Sequence, residues 1–254
     1  MERKRIVIIG SGNVASHLAP ALSARERVIQ ICSPHIGHAH ELSSRLPEAE
    51  ACDRPEDIIT DADFYIIAVS DDKVADVAAS MPLVSGIVAH TSGSVPMQAL
   101  ARHPRHGVFY PLQTFSKHSR IDISQVPFLI EASDPDSAAG LKALASTLSD
   151  NVIDADSALR SRIHVAAVFA CNFPNYMWSC ASDLLNDAGL DLSLMRPLLE
   201  ATLAKALAIG PAQAQTGPAR RGDNEVIDRH IASLSPDKAE IYRLLSERIS
   251  QKYK

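Results

Sequence analysis

The chain of 254 residues lacks an excess of positive charge, a long apolar run and paired cysteines. A net charge of −5 leaves no electrostatic footprint for nucleic acid. No segment approaches the length that spans a membrane. The apolar run after Arg5 ends after four residues in a glycine turn, so we expect no secretory signal. We therefore predict a cytoplasmic protein whose partners include neither nucleic acid nor membrane.

Cysteine and histidine usage gives no sign of a metal centre. The chain has four cysteines: Cys32, Cys52, Cys171 and Cys180. Their spacing is typical of reduced packing residues rather than of a disulfide framework or a zinc site. His35, His38 and His40 lie close in sequence, but no cysteine or second cluster accompanies them, which favours a solvated loop. We expect no bound metal.

The composition is that of an ordinary globular protein, with 46% hydrophobic and 22% charged residues. Over the first 155 residues, short apolar runs alternate with helical stretches. The runs that indicate strands are Ile6–Ile9, Val28–Cys32, Phe64–Val69, Ile87–Ala89, Gly107–Phe109 and Phe128–Ile130. Most are unbroken, which is typical of strands buried on both faces. The pattern predicts an α/β fold with a doubly wound, mostly parallel Rossmann sheet.

The second part of the chain has a different pattern. From about Asp156 the strand runs stop and only helical stretches follow. We expect a dinucleotide-binding domain over residues 1–155 and an all-helical substrate or dimerisation domain over residues 156–254. Pro174 falls inside the first long helical pattern and should kink or divide that helix.

The most informative motif is Ile-Val-Ile-Ile-Gly-Ser-Gly-Asn-Val-Ala at residues 6–15. An apolar strand here leads into a glycine-rich turn that opens a helix, the arrangement that holds a dinucleotide pyrophosphate. A first glycine allows the tight turn, and a second lets the backbone approach the phosphates. The residues of this turn that we expect to bind the cofactor are Gly10, Ser11, Gly12, Asn13 and Val14.

The end of the second strand bears on the choice between NAD and NADP. NAD enzymes usually present an Asp or Glu there to the ribose hydroxyls, whereas this chain has Ser33-Pro34-His35. Without a carboxylate, a 2′-phosphate meets no repulsion, and Ser33 and His35 could hydrogen-bond it. We therefore predict NADP in preference to NAD, although no arginine follows the strand.

Two further segments follow predicted strands. Val69 and Ser70 should line the cofactor channel, while Asp71 could cap the next helix. After the next strand, His90, Thr91 and Ser92 gather polar groups where a small substrate could be held. The alternative for this second segment is a Ser/Thr-rich turn that caps a helix.

The helical part offers two sets of candidate residues. His164 and Asn172 are eight residues apart, which on a continuous helix places them within about a quadrant of each other. They are candidates for catalysis, although a buried histidine is more often a satisfied structural group. Arg220 and Arg221, flanked by glycines, could hold an anionic substrate or could belong to a solvated connector.

Together these motifs resemble the DUF2520 type of Rossmann-like protein within the 6-phosphogluconate dehydrogenase-like superfamily. The segments that carry the resemblance are Gly10 to Ala15, His90 to Ser94, Tyr110 to Phe115, His164 to Asn172, and Thr216 to Asp223. The chain also resembles, more loosely, the pyrroline-5-carboxylate reductases and the β-hydroxyacid dehydrogenases. The resemblance implies a homodimer formed through the helical domain.

The chain departs from the β-hydroxyacid dehydrogenases at Val168, where their pattern has a catalytic lysine. This departure leaves His164 as the candidate proton donor or acceptor. The expected function is an NADP-dependent oxidoreductase that passes hydride between the nicotinamide and a small C=O or C=N substrate, with an anionic substrate favoured. The alternative is a non-catalytic NADP-binding regulator.

Overall fold

The computed structural model describes residues 2–117 and 119–253. The chain divides into two compact units, the first ending at Cys171 and the second beginning at Asn172. The sequence indicated a boundary before residue 156, whereas the structure divides the chain after the helix that follows. That helix belongs to the first unit because its buried Arg160 is bound to the sheet through Glu131.

The first unit is built on one eight-stranded sheet. The strands are β1 (Arg5–Ile9), β2 (Arg27–Cys32), β3 (Glu50–Cys52), β4 (Phe64–Ile67), β5 (Ile87–His90), β6 (His106–Pro111), β7 (Phe128–Ala132) and β8 (Val152–Asp154). Their order is β3-β2-β1-β4-β5-β6-β7-β8, and only the β6–β7 pair is antiparallel. The predicted doubly wound, mostly parallel sheet is confirmed.

Helices cover both faces of this sheet. Those of the first unit are α1 (Asn13–Ser23), α2 (Ile36–Ser43), α3 (Val74–Ser80), α4 (Pro135–Ser146) and α5 (Ser157–Ala167). Short 3-10 turns lie at Pro55–Asp57, Asp71–Lys73, Met97–Leu100 and Ile123–Gln125. Helix α1 buries one stripe, Ala15, Leu18, Ala19 and Leu22, with the spacing of a helix face. Separate apolar clusters form on the two faces of the sheet, so its strands are buried on both sides.

The predicted division of the long helix at Pro174 is present. Helix α5 ends at Ala167, a π-helical turn spans Val168–Asn172, and α6 starts at Phe173 with the proline in its first turn. A proline lacks the N–H that an interior helical position must donate, which accounts for the altered hydrogen-bond pattern just before it.

The second unit is helical throughout. Its helices are α6 (Phe173–Asn186), α7 (Arg196–Ile209), α8 (Pro211–Ala214), α9 (Pro218–Arg221), α10 (Asn224–Ala232) and α11 (Pro236–Tyr253), with a 3-10 turn at Leu192–Met195. Among residues 172–253, only Ala219, Ile227 and Ala239 are buried. No helix in the described ranges is long and apolar enough to cross a bilayer.

Candidate functional site

The glycine turn between β1 and α1 has two glycines with different constraints. Gly10 has a φ of +124°, its N–H donates to the Cys32 carbonyl at 2.7 Å, and a Cβ there would lie 2.1 Å from the Ala68 carbonyl oxygen. Gly12 instead faces open space, since no atom lies within 4 Å of the position that its Cβ would take. Gly10 is therefore required by the fold, while Gly12 leaves room for a ligand at the start of α1.

A groove of about 480 Å³ runs along this turn. We call it the Gly12 groove. All nine residues predicted to bind the cofactor line it: Gly10, Ser11, Gly12, Asn13, Val14, Ser33, His35, Val69 and Ser70. Four further residues complete the lining: Pro34, His38, Ala68 and Lys117. The groove lies at the carboxyl ends of β1, β2 and β4, where the strand order reverses direction and where doubly wound sheets bind nucleotides.

Ser11 and Ser33 connect the glycine turn to the end of β2. Their hydroxyl oxygens lie 2.8 Å apart, and the Ser33 N–H donates to the Cys52 carbonyl at 2.9 Å. Ser33 is nearly fully buried, whereas His35 precedes α2 and is exposed. The open space at Gly12 and the hydroxyls at Ser11 and Ser33 together fit a dinucleotide with its pyrophosphate at the N-terminus of α1.

The loop after β5 is more buried than the sequence indicated. His90 has no exposed surface, and its Nδ1 accepts the Ser92 N–H at 3.1 Å. Burial lowers the pKa of His90 to about 4, so the ring is neutral near pH 7. The His90 side chain therefore has no surface free for a substrate in this structure, and its contact with a substrate stays a prediction.

Thr91 and Ser92 also lie mainly inside the loop. The Thr91 N–H donates to the Ile67 carbonyl at 3.1 Å. Ser92 Oγ accepts the N–H groups of Ser94 and Val95 at 3.1 and 3.0 Å. These bonds give the segment the Ser-turn geometry considered as the alternative. Direct substrate contact by Thr91 and Ser92 stays a prediction.

Asp71 bridges the two loops that follow β4 and β5. Its carboxylate accepts a hydrogen bond from the Ser94 hydroxyl rather than capping the helix that it precedes. Because Asp71 follows Ser70, which lines the Gly12 groove, this bond connects the groove to the Ser92–Ser94 loop.

Tyr110 and His164 form a pair beside that loop. Tyr110 lies near the end of β6, and its hydroxyl oxygen is 3.0 Å from Nδ1 of His164 on α5. Burial, with a contribution from Asp71, raises the pKa of Tyr110 above its usual range, so the phenol stays protonated at neutral pH. A Cβ on Gly93 would lie 2.5 Å from His164 Nδ1, so the loop packs directly on the pair.

Helix α5 is fixed to the sheet by a buried ion pair. Arg160, one helical turn before His164, is 1% exposed and pairs with Glu131 on β7. Its guanidinium also donates to the Val95 carbonyl at 2.6 Å and to Ser157 Oγ at 3.1 Å. Arg160 therefore holds together α5, β7 and the loop after β5, the three elements around His164.

The remaining predicted residues lie in the second unit. Asn172 ends the π-helical turn, so the α-helical spacing used to relate it to His164 does not apply. Arg220 stacks over the Tyr253 ring and donates to its carbonyl, and Arg221 pairs with Asp223 at 2.8 Å. Each arginine already has a local partner, and the roles predicted for all three residues stay predictions.

Sequence reasoning missed Tyr110 and Lys117 as site residues. Tyr110 lies in the segment Tyr110 to Phe115, which contributed to the family resemblance. Nothing in that segment indicated that β6 would bring Tyr110 to His164. Lys117 lies in the connection after β6 and reaches the Gly12 groove only through the folded arrangement. Within the described ranges, no group of three or more His, Cys, Asp or Glu side chains is arranged to hold a metal.

Two domain families match the chain. The family described as NADP oxidoreductase coenzyme F420-dependent matches residues 5–89, and domain of unknown function DUF2520 matches residues 126–249. No curated protein sequence matches the chain significantly.

Solved structures match over nearly the whole length. A protein from Bacteroides fragilis, provisionally described as an NADP oxidoreductase, is 40% identical, with 98% of each chain covered and a TM-score of 0.91. A reductive aminase from Aspergillus terreus, in complex with NADPH and ethyl levulinate, is 14% identical, with 98% of this chain and 94% of that chain covered and a TM-score of 0.76. A 1-pyrroline-5-carboxylate reductase from Streptococcus pyogenes is 13% identical, with 98% and 99% covered and a TM-score of 0.66. The last two similarities show the fold alone.

The fold, the groove and these matches define an oxidoreductase with a nicotinamide cofactor, NADP being favoured. This class agrees with the catalytic hypothesis rather than the regulatory one. The chain belongs to the same family of NADP oxidoreductases as the Bacteroides fragilis protein. Its own match to DUF2520 over residues 126–249 confirms the resemblance seen in the sequence.

Proposed function

We propose that the protein is an NADP-dependent reductase or dehydrogenase acting on a small C=O or C=N group, with His164 as the proton-transferring residue. The observation that carries this proposal is the Tyr110–His164 pair, because a titratable ring lies beside a loop connected to the Gly12 groove. The residues of the groove would hold the dinucleotide, with Gly12 and Asn13 at the pyrophosphate and Ser33 and His35 at the adenosine end. When bound, the nicotinamide supplies or accepts the hydride.

The Tyr110 phenol gives His164 a defined protonation pattern. Because the raised pKa keeps the phenol protonated, its O–H can donate to Nδ1 of a neutral imidazole. In that state the ring's own proton lies on Nε2. To act as the acid the ring must carry a second proton, so that Nδ1–H donates to the Tyr110 hydroxyl oxygen while Nε2 gives its proton to the substrate oxygen or nitrogen and leaves a neutral ring. In the reverse reaction the free electron pair on Nε2 of this neutral ring takes the proton back.

Arg160 acts on this chemistry through position only. It is fully buried among its partners, so it touches neither substrate nor cofactor. Its bonds to Glu131 and to the Val95 carbonyl fix α5 relative to the loop that packs on His164. An ionised buried pair of this kind needs several hydrogen bonds to offset its desolvation. The two terminal nitrogens of Arg160 make three, whereas its Nε has no hydrogen-bond partner among the described residues.

The substrate class is proposed from two sources. The relatives named for C=O and C=N chemistry, the reductive aminase and the pyrroline-5-carboxylate reductase, share this fold. The proposed proton donor, His164, would serve either group. The expectation of an anionic substrate depended on Arg220 and Arg221. In the structure these arginines already interact with Tyr253 and Asp223, so we do not propose that the substrate must be anionic.

We also propose that the protein is a cytoplasmic homodimer. The second unit buries only three of its described side chains, yet α7 exposes four large apolar ones: Leu198, Leu203, Leu207 and Ile209. A helical unit with so little core of its own requires a covering surface, and exposed patches of this extent mark interfaces. A second copy supplies an identical apolar face. All four cysteines are free, as expected in a reducing compartment.

The test is consumption of NADPH by the purified protein. Substrates would include ethyl levulinate, 1-pyrroline-5-carboxylate and a series of 2-keto acids, each followed at 340 nm. For any substrate that is turned over, His164→Gln should lower kcat by roughly 10²–10⁴-fold and leave the Kd for NADPH within about twofold. Unchanged turnover in this variant would remove His164 from the reaction.

A further inference from the structure

A second, smaller cavity adjoins the Gly12 groove. It has a volume of about 120 Å³ and is lined by Ser11, Ser16, His38, Glu41, Leu42, Arg45 and Lys117. Ser11, His38 and Lys117 line both spaces, so the small cavity is a side extension of the groove. It lies between the glycine turn and α2, on the side of the helix that follows Ser33 and His35. We call it the Lys117 cavity.

Lys117 reaches this cavity from a distant part of the chain. It follows β6, and the residues before it are attached to α1. His17 Nε2 donates to the Ser116 carbonyl at 2.8 Å, and the rings of His17 and Phe115 lie 5.4 Å apart. The same carbonyl also accepts the Ser119 N–H and hydroxyl at 3.0 and 2.8 Å. These contacts hold the backbone beside Lys117 against the helix that begins at the glycine turn.

The charges around the two spaces favour an anion. Of the described residues that line the Gly12 groove, Lys117 is the only lysine or arginine, and none is a carboxylate. In the Lys117 cavity, Arg45 and Glu41 pair with each other at 2.5 Å, so their charges largely cancel. Lys117 makes no ion pair within the described part of the chain. Apart from the paired Arg45 and Glu41, the Lys117 ammonium group is therefore the one permanent charge among the described residues that line the cavity.

We infer that Lys117 binds the 2′-phosphate of NADP and thereby sets the preference for NADP over NAD. The inference rests on the proposed function, which requires the dinucleotide in the Gly12 groove. The pyrophosphate belongs at Gly12 and the start of α1, whereas the ribose carrying the 2′-phosphate belongs beside the end of β2 and α2. Lys117 thus supplies the cation that the chain lacks after β2, where Ser33-Pro34-His35 has no arginine.

The test compares ligands that differ only in the 2′-phosphate. Isothermal titration calorimetry would measure the Kd values of NADP⁺, NAD⁺, 2′,5′-ADP and 5′-AMP for the wild-type protein, Lys117→Gln and Lys117→Arg. Lys142→Gln is the matched control, because Lys142 lies on α4 and pairs with Asp154 at 2.7 Å. None of these measurements depends on the substrate.

Lys117→Gln should weaken NADP⁺ and 2′,5′-ADP by about tenfold or more and change NAD⁺ and 5′-AMP by less than about twofold. Lys117→Arg should retain most of the NADP⁺ affinity, and Lys142→Gln should match wild type. An equal loss for NADP⁺ and NAD⁺ would place Lys117 at the pyrophosphate and overturn the inference, as would no loss for either. A wild-type protein that binds neither dinucleotide would refute the proposed function itself.

Discussion

Arg160 and Glu131 form an ion pair in which the guanidinium is 1% and the carboxylate 13% exposed. Removal of the carboxylate leaves a buried charge without its counterion, and Glu131→Ala should lower the free energy of unfolding by about 3–5 kcal/mol. Asp154→Ala breaks the exposed pair with Lys142 and should cost less than about 1 kcal/mol. Urea denaturation measures both. Equal effects of the two variants would mean that the buried pair contributes no more than a surface pair.

The two glycines of the turn should respond differently to a methyl group. Gly10→Ala forces a side chain into a left-handed conformation and against the Ala68 carbonyl, so it should cost about 3 kcal/mol or more. Gly12→Ala has open space and should change stability by less than about 1 kcal/mol. It should nevertheless weaken NADP⁺ by about tenfold or more, since the methyl occupies the ligand's space. Thermal unfolding and calorimetry separate the two effects, and normal NADP⁺ binding by Gly12→Ala would contradict the assigned groove.

Tyr110→Phe tests whether the phenol controls the His164 ring. Loss of the hydrogen bond to Nδ1 should lower kcat by about tenfold, alter the pH profile of kcat and leave the Kd for NADPH unchanged. Tyr242→Phe is the matched control, because the Tyr242 hydroxyl bonds His230 at 2.7 Å in the second unit. Stopped-flow and steady-state measurements of kcat across pH would test this prediction. A Tyr110→Phe profile identical to wild type would show that the pair has no part in proton transfer.

His90 should make the protein less stable in mild acid. Its pKa is about 4 in the folded chain, whereas an unfolded histidine titrates near 6.5. The unfolded state therefore binds more protons between these values, and stability is full above pH 6.5 and falls as the pH approaches 4. The loss attributable to His90 is roughly 3 kcal/mol over that window.

His90→Asn keeps an acceptor for the Ser92 N–H and should flatten this dependence when urea unfolding is followed from pH 7.5 to 5. Some slope should persist, since burial also lowers the pKa of His103. A slope equal to that of wild type would assign the acid sensitivity to other groups.

The proposed dimer can be disrupted from α7. Leu203 and Leu83 are both 62% exposed, and Leu83 lies in the first unit. Leu203→Glu should convert the dimer to monomer in sedimentation velocity and reduce helical circular dichroism, because a charge cannot be buried there without a partner. Leu83→Glu should stay dimeric. A wild-type protein that sediments as a monomer would refute the homodimer.

Local patterns were sufficient to predict the parts of the fold and site that depend on neighbouring residues. The glycine turn, the strand ends at Ser33 and Ser70, and the division near Pro174 all follow from short segments. Strand β3 was missed because Glu50–Cys52 is too short to show an apolar run.

Contacts that depend on the order of the strands in the sheet could not be predicted from short segments of sequence. Cys32 and Cys52 had no paired spacing, yet β2 and β3 bring them into register, and the influence of the Cys32 thiol lowers the pKa of Cys52. Tyr110 meets His164, and Lys117 meets the glycine turn, for the same reason. In each case the topology of the sheet brings the two residues together, and a short segment of sequence does not show that topology.

The scarcity of buried residues in the second unit has a consequence for how the protein is made. The first unit has its full core once Cys171 has been synthesised, so it can fold on the nascent chain. In the proposed homodimer, the helices after it gain a covering surface only when a second chain binds. Their stability would then depend on protein concentration, and dissociation of the subunits and unfolding of the helices would become a single event.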